Sequence, residues 1–468
     1  MKHFTHVALQ IYIVIFTGLT MYGQLSIIPQ GGAIHPNPDG VPCLTPEDYN
    51  LYQVIISQNI AQLDAQNKRA FNVNRATQQV LFDWPIAQAD GFDYNSTWAI
   101  SNYVDHNASF PNQIEDWDCG TRSYDTNGGY NHQGIDIYTW PFWWKQMDDE
   151  QSQIIAAQAG QIVYKNDGSF DRNCQFNNDQ WNAIYVEHSD GSIAWYGHMK
   201  EGSLSSKNVG DMVETGEYLG SIGSSGNSTG PHLHMEVYDA ENNLIDPYAG
   251  ACNDLNASSW WSEQKSYYEP KINTVLTHNA PPEFNFNGCG VTEDPNQSNQ
   301  FAPGDDVIVA AYYRDQQDDT SVTYNVKDSN GDIVAEWTQE FTSTLSSSYW
   351  YYTITTTTTE GVWEFNATYE GETVTRNFNV GQLSVSDEAL IQLEAYPNPT
   401  RNQLNIEAAV PLKSIILHDI SGRVLSQKQG MNDIKATLDL SSYATGVYFI
   451  SATALDKEAR VTIRVIKQ

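Results

Sequence analysis

The chain has 468 residues, more than one hydrophobic core usually fills, so about three domains are expected. Its 57 acidic residues against 24 basic ones give a net charge of −33, which excludes nucleic acid and anionic membrane surfaces as natural partners. The acidity is uneven: from Gly381 onward nine basic and nine acidic residues balance, so the preceding 380 residues, with 15 and 48, carry the whole excess. Such a break marks a separate C-terminal module.

The first residues carry Lys2, an apolar stretch from Val7 to Leu19 and small or polar residues at Gly23 and Gln24, the pattern of a secretory signal over 1–23. The stretch is shorter than the ~20 apolar residues of a spanning helix, so export is expected and no membrane span in the mature chain. Five cysteines, Cys43, Cys119, Cys174, Cys252 and Cys289, then suggest disulfides with one thiol left over. The expected pairs are Cys119 with Cys174 and Cys252 with Cys289.

Within 24–79, an extension or pro-segment, "LTPEDYNLYQVIISQNIAQLDAQ" offers Thr45 as N-cap, Pro46 at the first helical position and apolar Tyr52, Ile55, Ile56 and Leu63. That predicts an amphipathic helix. From 80 to 270 the pattern becomes short β-runs separated by glycine turns, with Asp190-Gly191 between two of them as a hairpin signal. The region reads as an antiparallel β domain. Residues 280–381, after Pro281 and Pro282, alternate as an immunoglobulin-like sandwich with turns at Asn330-Gly331 and Glu370-Gly371. The run Thr355 to Thr359 is expected on an exposed strand, since β-branched residues suit the pleat. Residues 390–468 read as a small C-terminal β-sandwich with turns at Ser421-Gly422 and Thr445-Gly446. The fold class expected is therefore mainly β.

The chemistry concentrates in the second region. In "STGPHLHMEV", His232 and His234 are two apart; on a strand they project from one face and can share an ion or a substrate. Two solvated surface histidines would show the same spacing, so the pair needs company. "GGYNHQGIDIYTWPF" supplies His132 and Asp136, with Gly134 and β-branched neighbours arguing for a turn that enters a strand. A catalytic zinc commonly takes three protein ligands and leaves a fourth position open. His132, Asp136 and one histidine of the pair make such a set, and no cysteine lies nearby in sequence to suggest a structural site. "AWYGHMK" places His198 at the end of a predicted strand. Histidines outside the ligand set are suited to acid–base work, because imidazole titrates near neutrality.

"NHQGID", "WYGHM" and "GSSGNSTGPHLHMEV", in that order, resemble the lysostaphin-type zinc metallopeptidases and in detail the beta-lytic endopeptidases, over roughly Trp84 to Tyr248. The resemblance implies one zinc held by His132, Asp136 and His234, with His198 and His232 as the catalytic pair, and cleavage of peptide bonds in peptidoglycan cross-links, often beside glycine. All five residues are present, unlike in the degenerate relatives that only activate other enzymes. His188 beside the hairpin is expected to be an ordinary turn or strand histidine. Glu236 shares the face of His232 and His234 and is either an acceptor behind a ligand or a salt-bridged strand residue. "YKNDGSFDRNCQFNNDQWN" is a longer insertion than the shortest relatives carry and could shape a groove wall.

Two readings of other classes compete. "VGDMVETGEYLGSIG" resembles the hairpin of biotinyl and lipoyl carriers but lacks the lysine that such a carrier needs. A surface adhesin whose sandwich binds a partner is the other reading of the later modules, but it would not explain the histidines and Asp136; glycine-rich extracellular proteins are an alternative substrate for a peptidase. The tail, with "EAYPNPTRNQLNI", "LHDISGRVL", "GVYFISAT" and "RVTIRVIKQ", resembles the sorting domain of the type IX secretion system, which implies contact with that machinery. The whole is expected to be a monomer released outside the cell, or held at its outer surface, by way of the periplasm. Its substrate is expected to be a peptidoglycan peptide or an extracellular protein.

Overall fold

The computed structural model describes residues 29–33, 42–71, 78–174, 177, 179–284, 293–381, 393–420, 422–455 and 460–468. The expected signal over 1–23 lies outside them. Among the described residues no helix is long and apolar enough to cross a membrane, and strands dominate throughout.

The central sheet runs in the order Trp98–Asn102, Ile135–Thr139, His232–Tyr238, Ile193–Gly197, Ala183–Glu187, Gly160–Asn166 and Met212–Val213, with Leu244–Ile245 also on the His232 strand. Every pairing is antiparallel. Alternation sorts its side chains. Ile135, Ile137, Ile184, Val186, Ala194, Tyr196, Leu233, Met235 and Val237 enter a core shared with Ile154, Leu219, Trp260 and Trp261. Part of that core stands on a three-stranded sheet of Ile86–Gln88, Ser152–Ile155 and Tyr218–Ser221. The Asp190-Gly191 turn joins Ala183–Glu187 to Ile193–Gly197, as its composition predicts, with Gly191 at φ 89°.

The opposite face carries Tyr185, Trp195 and Tyr238, and the N-terminal helix lies on these rings. The helix spans Pro46–Ala65. Thr45 caps it reciprocally with Asp48: the Asp48 amide donates to Thr45 Oγ1 at 3.2 Å, and the Thr45 amide to Asp48 Oδ2 at 2.9 Å. Pro46 needs no amide partner in the first turn. Tyr52, Ile56 and Leu63 are buried, at spacings of four and seven that keep them on one side. Tyr52 alone touches the rings of Tyr164, Trp181, Tyr185 and Trp195.

Two further sheets form a sandwich. One contains Gln30–Ala33, Leu345–Thr355, Asp306–Gln316 and Lys271–His278; the other contains Gln300–Phe301, Glu372–Val380, Gly361–Tyr369, Ser321–Lys327 and Ile333–Glu340. Val307, Val309, Tyr313, Tyr324, Trp363 and Phe365 fill the space between them. The outer face of the first sheet docks on the peptidase-like region, where Leu276, Ala310 and Tyr312 pack with Ala99, Tyr138, Trp140 and Phe142. Arg376 adds a pair to Asp93 at 2.6 Å, and the Arg314 guanidinium stacks 3.9 Å over Trp98.

The C-terminal module is a five-stranded sheet of Glu394–Tyr396, Gln403–His418, Gly446–Ala454, Arg460–Lys467 and Val424–Asp439. Register breaks between Glu407 and Leu412 interrupt its longest pairing, so the strand bends around the core of Leu404, Ile406, Ile415, Leu417 and Ile450.

Two expectations are corrected. Cys119 is bonded to Cys252, not Cys174, so neither expected disulfide pair forms. The Cys119 loop is carried to that place by stacking of Trp117 on Tyr248 at 4.9 Å, and the Cys252 amide donates to the Trp117 carbonyl at 3.1 Å. Cys174 is also disulfide-bonded, Cys289 lies outside the described residues, and Cys43 is a free, buried thiol. The threonine run also departs from expectation, because the strand ends at Thr355. Thr356 turns the chain with its amide on Asp305 O and its hydroxyl on Ala302 O.

Candidate active site

Three side chains converge from two neighbouring strands. Asp136 stands on Ile135–Thr139, directly opposite His234 on His232–Tyr238. His132 lies in the turn that leads into the first of these strands, as its sequence predicts. His132 Nε2 is 3.1 Å from Asp136 Oδ2 and 3.2 Å from His234 Nδ1, and His234 Nδ1 is 2.7 Å from Asp136 Oδ1. All three residues are almost wholly buried. Gly134 makes this approach possible: a Cβ there would come within 2.7 Å of the His234 ring and 2.8 Å of the Met235 carbonyl.

The second nitrogen of each ring is already spoken for. His132 Nδ1 donates to Tyr103 O at 2.7 Å, and His234 Nε2 to Glu236 Oε1 at 2.8 Å. Glu236 is itself held by the hydroxyls of Tyr49 and Tyr238, each at 2.6 Å. These bonds turn a lone pair of each imidazole toward the carboxylate, the usual support of a metal-binding histidine. Donors bonded at about 2.0–2.1 Å to a tetrahedral cation stand about 3.3 Å apart, close to the separations of His132 Nε2 from its two neighbours. The set of two imidazoles and one carboxylate therefore fits a divalent metal such as zinc.

The buried carboxylate and the imidazoles around it stabilise one another's charges. Burial pulls the His132 ring down, but the Asp136 carboxylate outweighs it and holds the ring at about 9. Burial pushes Asp136 up, yet the surrounding histidines keep it well below the usual carboxylate range. Each group favours an opposite charge in the space they share.

His198 and His232 stand beside this cluster, their rings 4.4 Å apart. His198 follows Ile193–Gly197 at φ 57°, and its Nδ1 donates to Ser225 O at 2.6 Å. Its Nε2 is buried and has no hydrogen-bond partner among the described residues. His232 is similarly oriented, with Nδ1 bonded to Gly230 O at 2.8 Å and Nε2 3.6 Å from Asp136 Oδ1. Burial lowers the His198 ring, and the charge of His232 lowers it further. Burial also opposes the charge on His232, but Asp136 raises it overall. Trp181 flanks His198 at 5.0 Å and His234 at 5.8 Å. The insertion around Asn173 packs on this loop, with Asn173 Nδ2 donating to Gly226 O at 3.0 Å.

The structure thus brings His132, Asp136, His198, His232 and His234 together. It also adds what their motifs do not contain. Cys43 Sγ lies with the donor atoms of His132, Asp136 and His234, all within 4.8 Å of one another, and equally with those of His198 and His232. Its odd number among the cysteines was the only signal in the sequence. Tyr124, whose hydroxyl is 3.2 Å from Cys43 Sγ, packs on His132 at 4.6 Å. His188 is buried elsewhere, bonded to Ala159 O and edge-on to Phe82.

A carboxylate and two imidazoles around one space, with two further imidazoles alongside on an antiparallel sheet, define a metallopeptidase type of site. Residues 130–247 match the model of peptidase family M23, and residues 394–468 that of the secretion system C-terminal sorting domain. The chain therefore carries a lysostaphin-type M23 peptidase domain and a type IX sorting domain. It is 42% identical over 56 residues to the DD-carboxypeptidase/endopeptidase Mpg of Neisseria meningitidis serogroup B, a match that spans 12% of this chain and 12% of that relative. Among solved structures, the catalytic domain of lysostaphin from Staphylococcus simulans is 24% identical, covering 33% of this chain and 89% of that one with a TM-score of 0.20. The catalytic domain of prophage-encoded M23 protein EnpA from Enterococcus faecalis is 20% identical, covering 33% and 92% with a TM-score of 0.22.

Proposed function

We propose that the chain is a secreted zinc metalloendopeptidase that hydrolyses peptide bonds in peptidoglycan cross-links, with His132, Asp136 and His234 as zinc ligands and His198 and His232 as catalytic residues. The observation that carries this reading is the convergence of three supported donors beside two imidazoles whose Nδ1 atoms are fixed by the backbone carbonyls of Ser225 and Gly230. Zinc, when bound, polarises the scissile carbonyl and makes a water nucleophilic near neutral pH.

The chain's own residues do the rest. Glu236 and the Tyr103 carbonyl fix the ligand tautomers. His198, lowered by burial and by His232, is suited to accept a proton from the attacking water through Nε2. His232, raised by Asp136, is suited to hold a proton and donate a hydrogen bond to the oxygen on which negative charge develops. Ser225 O and Gly230 O keep both rings turned inward. Peptidoglycan is favoured as substrate by the M23 match and by the similarity to the DD-carboxypeptidase/endopeptidase Mpg of Neisseria. The sorting domain supports passage to the outer surface or the medium through the type IX machinery.

Product analysis tests the substrate. Purified cell walls of differing cross-link chemistry, and a glycine-rich protein such as elastin, are digested in parallel and the new termini identified. Cuts confined to elastin would replace the cell-wall reading with that of an extracellular proteinase, and binding without any cut would favour an adhesin.

A further inference from the structure

We propose that Cys43 is a fourth ligand to the metal, and that residues 42–65 thereby hold the peptidase latent until this segment is withdrawn. The proposal rests on the metallopeptidase reading above and concerns the regulation of the same site. Its basis is position. The thiol lies with the three ligands on one side and with His198 and His232 on the other, where the scissile peptide and the attacking water would have to meet. A catalytic zinc site keeps one of its four positions open, whereas a site with four protein donors is closed. Sulfur is a strong ligand for zinc, and its addition converts the first arrangement into the second.

The neighbours of Cys43 hold it in place. Leu44 is buried among Tyr52, Trp181 and Tyr185, and Thr45 begins the capped helix. Tyr49 bonds Glu236, the residue behind His234, and Asn59 Nδ2 donates to Val163 O at 2.8 Å. Beyond the helix, Arg69 reaches the Glu187 carboxylate. The helix covers Tyr185, Trp195 and Tyr238, on the same sheet face as His234 and Glu236. One continuous segment therefore fills both the metal's open side and the aromatic floor next to it, where an extended substrate would lie. The cysteine usage agrees. In an exported chain whose other described cysteines are disulfide-bonded, a buried thiol that is kept reduced has a separate role. On release, the thiolate leaves the metal and takes up one proton, and water enters in its place.

The test uses the full chain loaded with zinc or cobalt. Metal analysis comes first: absence of bound metal in the wild type and in Cys43→Ser alike would defeat the metallopeptidase reading itself. The cobalt form is expected to show a thiolate-to-metal charge-transfer band that Cys43→Ser lacks. Hydrolysis of purified cell walls by Cys43→Ser should exceed that of the uncut wild type by about 100-fold, the gain when a competent state populated at about 1% becomes the only one. Identical cobalt spectra would overturn the ligand assignment while leaving the metal site intact. Equal rates for uncut wild type and Cys43→Ser, where proteolytic removal of the segment raises the rate, would confine latency to the helix and overturn the role of the thiol.

Discussion

His234 and Glu236, two residues apart on one strand, are joined by a 2.8 Å bond from Nε2 to Oε1, so that Nδ1 of the same ring faces Asp136 at 2.7 Å. The strand's period of two makes the pair possible. The bond decides which nitrogen of His234 is offered to a metal.

Glu236→Gln is accordingly expected to weaken metal binding by about 10–100-fold, the usual effect of losing such a support, whereas His234→Ala should abolish it. Competition with a chromogenic chelator measures both. Wild-type affinity in Glu236→Gln would show that ring orientation depends on packing alone.

His198→Ala and His232→Ala should each retain the metal and lose turnover by about 10²–10⁴-fold, or roughly 3 to 5 kcal/mol of transition-state stabilisation. To separate this effect from latency, each substitution is compared with wild type after removal of the N-terminal segment. Unchanged kcat in both variants would take these imidazoles out of the reaction.

Acid should destabilise the peptidase domain through His188. Burial lowers its ring from 6.5 to about 4, and its Nε2 has no hydrogen-bond partner among the described residues. The unfolded chain therefore takes up a proton below about 6.5 that the folded chain refuses until about 4. The His188 contribution to stability falls as pH drops through that window, by about 3 kcal/mol in total, and is level above it. Urea midpoints of the wild type should follow this slope, and His188→Gln should reduce it. The same slope in the variant would assign the effect to other groups.

A chain ending near Val380 should retain the peptidase activity of the purified protein, because the proposed ligands and both catalytic histidines precede Val237. In the bacterium it should accumulate in the periplasm. Fractionation of cells expressing the two forms reads this directly; equal release to the medium would make the C-terminal module a surface-binding unit instead.

What the sequence alone determined follows from short-range geometry. Alternation put His232 and His234 on one face, Gly134 marked the turn into the Asp136 strand, and Thr45 with Pro46 started the helix. Each depends on residues within a turn or a few strand positions. The tertiary structure decided what meets across the fold. Cys119 found Cys252 at a separation of 133 residues because Trp117 stacks on Tyr248, a contact that no local pattern records. Glu236 became the support of His234 rather than a solvated strand residue because Tyr49 and Tyr238 bury it. Cys43 reached the cluster of His132, Asp136 and His234 because the helix that follows it packs on the aromatic face of the sheet. A residue's type sets the chemistry it can perform, but the packing of distant apolar surfaces sets which residues share one volume of a few ångströms, and that is a property of the whole chain.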